Sequence, residues 1–214
     1  MKINSRLNRA GNRRNQGFTL IEMIGVLAVI AILAAVLIPK VFEAINNSKV
    51  NNTAMSINTV KTGIADHYAK YGSLVSSNGI AMVAPLNNFD NILVTEGFMD
   101  KPFQVKISAI TGGVTNHVEV VAAATAATDP NAANASYNLD GTGAAGAMNK
   151  AIGSAVAQAV IPGVTENDAK DLNDRLDGPS LGTAIGTDDL LGRVKYAAAG
   201  ANPTTTVYVY LTHR

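Results

Sequence analysis

A single carboxylate sits where the sequence otherwise allows no charge. From Phe18 to Ile38 the chain runs through 21 residues in which Glu22 is the only formal charge. As an α-helix this run is about 31 Å long, close to the thickness of a bilayer's hydrocarbon core. Leaving an unpaired carboxylate in such a layer costs roughly 2.5–3.5 kcal/mol on insertion scales. Chemistry that would justify Glu22 is therefore the capture of a cation in the same layer, where low dielectric strengthens the attraction. Gly17 stands just ahead of the run. Without a side chain, an extended backbone at that point can lie close against another protein.

What precedes the run is basic. Lys2, Arg6, Arg9, Arg13 and Arg14 carry all the charge before Gly17. Positive charge ahead of a long apolar span places residues 1–17 in the cytoplasm and the chain beyond Ile38 outside. This is the general form of a secretory signal, but the span is long enough to be retained rather than removed. A plain signal anchor that tethers an external domain is one reading. Arg13-Arg14 as a twin-arginine export signal is a weaker one, because the flanking residues fit poorly and a carboxylate interrupts the apolar region.

Gly17-Phe18-Thr19-Leu20-Ile21-Glu22-Met23, followed by the apolar span, resembles the processing site of the type IV pilin superfamily. That superfamily includes the pilins and the pseudopilins of type II secretion and DNA uptake. The resemblance is strong over residues 13–71. It implies that prepilin peptidase cuts between Gly17 and Phe18, methylates the new amine of Phe18 and leaves the whole apolar helix in place. It further implies a homo-oligomeric filament, with an assembly ATPase and an inner-membrane platform protein as partners and membrane lipid around the span before assembly. The amine of an incoming subunit would neutralise Glu22 of its neighbour. Geometry alone also leaves open a pair within one chain, since four residues separate the two groups on one helix face.

The elements that must position these groups follow from pattern. Gly25, Ala28, Ala31, Ala34 and Ala35 punctuate the span, and small side chains let membrane helices approach closely. Pro39 lacks an amide hydrogen, which predicts a kink or local melt. Beyond it Val50, Ala54, Ile57, Val60, Ile64, Tyr68 and Tyr71 trace one helical stripe. Gly63 suggests a close approach of a covering sheet, and Gly72 a stop. The division expected is a leader at 1–17, a membrane and assembly helix at 18–38, its amphipathic second half at 39–71, and a globular head at 72–214.

Within the head, residues 72–101 read as a connecting loop. Phe103–Ile107 and His117–Val120 alternate apolar and polar residues around Thr111-Gly112-Gly113, predicting a hairpin. Residues 122–147, rich in Ala, Asn, Gly and Thr, read as an exposed excursion. Met148, Ile152, Ala155, Val156 and Ala159 suggest a short helix. Thr165-Glu166-Asn167-Asp168 has the form of a capping box ahead of Ala169, Leu172 and Leu176, closed by Gly178-Pro179. This segment faintly resembles a helix of the larger, type IVb-like pilins, without the cysteine often found there. Arg193–Ala198 and Thr205–Leu211 predict a terminal hairpin, with Val207, Val209 and Leu211 on one face and Tyr208 and Tyr210 on the other. The fold class expected is α+β: a long N-terminal helix packed on a small antiparallel sheet, a pilin-like αβ-roll.

Composition narrows the function. The net charge is +1 for the full chain and −4 for residues 18–214, which argues against a grip on nucleic acid. There is no cysteine, and His67, His117 and His213 are scattered. No phosphate loop, nucleophile elbow or His-Glu-x-x-His occurs. Asp188-Asp189 and Asp140-Gly141-Thr142-Gly143 read as solvated acidic loops rather than a calcium site. The expectation is a non-enzymatic filament subunit with no cofactor or metal, held in the inner membrane and then displayed on the cell surface. A type II secretion or DNA-uptake pseudopilin and a monomeric membrane-anchored binding domain are the alternatives.

Overall fold

Fifty-two consecutive residues, Leu20–Tyr71, form α1 in the computed structural model, which describes residues 17–74, 76–77, 80–81, 88–108, 115–122, 136–139, 141 and 155–213. The chain divides into two compact units, residues 1–43 and 44–214, with α1 contributing to both. In the first unit the apolar side chains of the span are exposed, from Leu20 at 77% to Phe42 at 64%. By length and composition this helix can cross a membrane. At Pro39, where a kink or local melt is expected, α1 continues without interruption. Proline removes one amide donor, so the carbonyl of Ala35 loses its helical partner while the turns on either side persist.

The second unit is an α+β domain. Following α1 come β1 (Ser76–Ser77), β2 (Ile80–Ala81), α2 (Phe89–Thr95), β3 (His117–Ala122), β4 (Ala155–Val164), α3 (Glu166–Leu176), β5 (Val194–Tyr196) and β6 (Thr205–His213). Strands β3–β6 form an antiparallel sheet in the order β3-β4-β6-β5, and β1 pairs with β2 alone. One apolar cluster joins Val50, Ile57, Val60 and Ile64 of α1 to Val118, Val120, Ala157, Ala159, Ile161, Val207, Val209 and Leu211 of the sheet. The amphipathic stripe thus faces the sheet, as its spacing requires.

Helix α3 follows its local signals. The Asp168 N–H donates to Thr165 Oγ1 at 3.3 Å, and Ala169 and Leu172 are buried. Arg175 holds it to α1 through Asn51 and, at 3.0 Å, through Asn47. At its end Asp177 accepts the N–H groups of Arg193 at 2.6 Å and Val194 at 2.8 Å, and pairs with the Arg193 guanidinium at 2.8 Å. The terminal hairpin also forms, with Val194 opposite Val209 and Tyr196 opposite Val207.

Elsewhere long-range packing overrides the pattern. Residues 72–101 contain α2, seven residues anchored by buried Phe89 and Leu93 and too short to show a helical period. The hairpin expected from Phe103–Ile107 with His117–Val120 does not form, since β3 pairs with β4, and Phe103 and Ile107 are buried outside any strand. What the alternation marked was burial. The short helix expected through Ala155, Val156 and Ala159 is instead the central strand β4, buried on both faces from Val156 to Pro162. Its Pro162 sits where the register with β6 shifts between Ile161 and Val164, a bulge at which a missing N–H is tolerated. What approaches Gly63 is not the sheet but the turn after α2: a Cβ there would lie 3.0 Å from Met99 Cγ. Thr111-Gly112-Gly113, Met148 and Ile152 lie outside the described residues.

Two polar expectations also change. Asp189 is fully buried rather than solvated, accepting from Asn173 Nδ2 at 2.6 Å and from the N–H of Thr183 at 3.2 Å. Burial holds its carboxyl above the usual range. Asp188 remains exposed and accepts the Ala198 N–H at 2.7 Å. Of the 122–147 excursion, residues 122, 136–139 and 141 are described, and Tyr137 among them is wholly buried.

Candidate functional site

The residues singled out at the start of the span fall within six consecutive positions, 17–22. Gly17 lies outside the helix, exposed and unobstructed, with open space around the position a Cβ would take. Phe18 is 81% exposed. The helix begins two residues later at Leu20, which makes Thr19 its N-cap. Four N–H groups at a helix start have no intrahelical partner, and here Thr19 and Glu22 satisfy two of them reciprocally. The Thr19 N–H donates to Glu22 Oε2 at 2.7 Å, and the Glu22 N–H donates to Thr19 Oγ1 at 3.3 Å. The Thr19 hydroxyl donates to the same Oε2 at 2.8 Å. This is a capping box.

The box fixes which way Glu22 points. Its carboxylate is drawn back to the first residue of the turn, one residue from the Gly17–Phe18 bond. Both bonds fall on Oε2, and Oε1 accepts none from the described residues. A carboxylate oxygen with free lone pairs at the positive end of a helix is suited to receive a further donor. Thr19 was the residue sequence reasoning missed here. The signal was present: Thr-x-x-Glu at 19–22 has the same form as Thr-x-x-Asp at 165–168, which the sequence did reveal. Pro39 lies apart from this group, 17 residues past Glu22 and about 26 Å along the helix.

Residues 12–38 match the family model described as the prokaryotic N-terminal methylation motif. The chain carries that motif. The methylation motif encloses Gly17, Phe18, Thr19 and Glu22 and closes one residue before Pro39. Beyond it the chain is similar to type IV pilins. It is 33% identical over 73 residues to a fimbrial protein of Neisseria meningitidis serogroup A, a match covering 34% of this chain and 43% of that protein. It is 28% identical over 109 residues to the type IV major pilin protein PilE1 of Neisseria gonorrhoeae, covering 50% of this chain and 66% of that protein. The chain therefore spans less than half of the first relative and about two thirds of the second. No solved structure matches it.

The head offers a different kind of chemistry. Asp90 is buried and accepts the N–H groups of Phe103 at 2.9 Å and Val118 at 3.1 Å, tying α2 to the following segment and to β3. His67 Nδ1 lies 2.7 Å from Glu96 Oε2, both side chains being buried, with the rings of Phe89 and Phe98 against the imidazole. Among the described residues no three His, Cys, Asp or Glu side chains converge as a metal site would need. These groups hold elements together.

Proposed function

We propose that this chain is a structural subunit of a type IV pilus-like filament. Prepilin peptidase hydrolyses the Gly17–Phe18 amide on the cytoplasmic side, leaving a carboxylate on Gly17 and an amine on Phe18. Methylation of that amine keeps it cationic. Before assembly the 18–38 helix rests in the inner membrane with the head outside. An assembly ATPase and a platform protein then extract the subunit, and the apolar helices pack together.

The observation that carries this reading is the methylation motif laid over an exposed apolar helix whose single charge is held one turn from the cleavage bond. Glu22 Oε1 is the acceptor for the amine of a neighbouring subunit, and Thr19 keeps the carboxylate turned toward that amine's layer. A cation and an anion that meet there each relieve the cost of being in apolar surroundings. Pro39 would let the helix bend where a neighbour demands it. Electron microscopy of sheared surface material tests the proposal. Thin fibres containing this chain support it; recovery of the chain solely in the membrane fraction would mean a tethered domain instead.

A further inference from the structure

Where α1 begins decides the state of the bond ahead of it. The helix starts at Leu20, and residues 17–19 lie outside it. Its first backbone bond runs from the Met23 N–H to the Thr19 carbonyl at 3.2 Å. A longer helix would continue this ladder backwards, each N–H reaching the carbonyl four residues earlier. The Glu22 N–H would then go to Phe18, and the Ile21 N–H to Gly17. The capping box competes for these donors. Thr19 Oγ1 takes the Glu22 N–H at 3.3 Å, and Glu22 Oε2 takes the Thr19 N–H at 2.7 Å. Arg13, Arg14 and Gln16 are good helix formers, so the sequence ahead of the bond does not by itself forbid a longer helix.

We propose that Thr19 is a positioning residue for processing: by stopping the helix at Leu20 it leaves the Gly17 carbonyl free for attack. The inference rests on cleavage between Gly17 and Phe18, as proposed above. Hydrolysis adds water to the Gly17 carbonyl carbon, drives charge onto its oxygen and expels the Phe18 amine. A protease stabilises that oxygen with its own hydrogen-bond donors. Inside a helix the same oxygen would be held by the Ile21 N–H, and the turn would have to open before the bond could be cut. Among the described residues no backbone N–H donates to the Gly17 carbonyl, and the space around Gly17 is open.

The hydroxyl carries this role, not the carboxylate. Glu22→Ala keeps a backbone N–H at position 22 and leaves its acceptor, Thr19 Oγ1, in place. The helix start and the proposed contact between subunits are therefore separable by mutation.

Cleavage of the full chain by purified prepilin peptidase, in vesicles of phosphatidylethanolamine and phosphatidylglycerol, tests the proposal. Serine and asparagine cap at least as well as threonine, whereas valine has threonine's shape and no cap. Thr19→Ser and Thr19→Asn should therefore keep the parent's kcat/KM. Thr19→Val should lower it several-fold, by about fivefold at most, the ratio to which a lost cap corresponds. Amide exchange in dodecylphosphocholine micelles reads the helix start without the peptidase. There the Ile21 N–H should be better protected in Thr19→Val than in the parent. A valine variant cut as fast as the parent would overturn the proposal, and so would an asparagine variant cut as slowly as the valine one, since the rate would then follow shape. Equal or weaker protection of Ile21 in Thr19→Val would also overturn it, because the uncapped helix would then fray instead of lengthening. A parent chain that is not cut between Gly17 and Phe18 removes the processing reading itself, and this inference with it.

Discussion

The span at the start of α1 and the domain that follows it treat charge in opposite ways. In the span, apolar side chains are exposed and the one acid is met by a residue three places away. In the head, two buried carboxylates are met by partners far along the chain: Asp90 reaches residues 13 and 28 positions on, and Asp177 one 16 positions on. The contrast separates two jobs. A group satisfied locally keeps its geometry in any surroundings, so Glu22 can hold its orientation when those surroundings change. A group satisfied at long range is informative only inside a folded domain, where it fixes which segments meet.

Variants that move one region without the other sharpen this contrast. Glu22→Ala should give the largest effect on assembly and none on the head. We expect normal insertion and processing, with the yield of sheared fibres down about tenfold or more, a factor that corresponds to about 1.4 kcal/mol or more per contact. Normal yield would remove the assembly role. Asp90→Ala should do the reverse, destabilising the head by about 2–4 kcal/mol in denaturant unfolding, because two buried N–H groups lose their acceptor. A change below about 0.5 kcal/mol would mean those groups find other partners.

Thr19→Ala sits between the two in size. Loss of the cap costs about 1 kcal/mol of local helix stability, and fibre yield should fall less than for Glu22→Ala. An equal fall would mean that Thr19 itself takes part in the contact. Gly63→Ala should be smallest, within about 1 kcal/mol of the parent in thermal unfolding. Its methyl crowds the flexible end of Met99 while gaining about as much in helix propensity.

How much the sequence revealed follows the same division. α1, α3 and the terminal hairpin were legible because their signals are local: a stripe at helical spacing, a cap three residues from its partner, a turn rich in glycine and proline. β4 was not, because a strand buried on both faces shows no alternation and its alanines imitate a helix. β3 was visible as a strand, but its partner begins more than thirty residues later, and nothing in the local pattern names it. α2 is shorter than two helical turns and rests on Phe89 and Leu93 finding the core. At the span, the carboxylate stood out from composition, while the glycine–phenylalanine bond was marked only by the resemblance to prepilin processing sites. The residue that aims the carboxylate escaped notice although its spacing matched a pattern recognised elsewhere in the chain.

The mass and N-terminal sequence of the polypeptide recovered from the cell envelope bear most directly on the proposed role. A chain that begins at Phe18 and carries one methyl group on its amine places the cation within reach of a neighbour's Glu22. A polypeptide that keeps residues 1–17, or that begins far from Phe18, has no such cation, and the proposed contact could not exist.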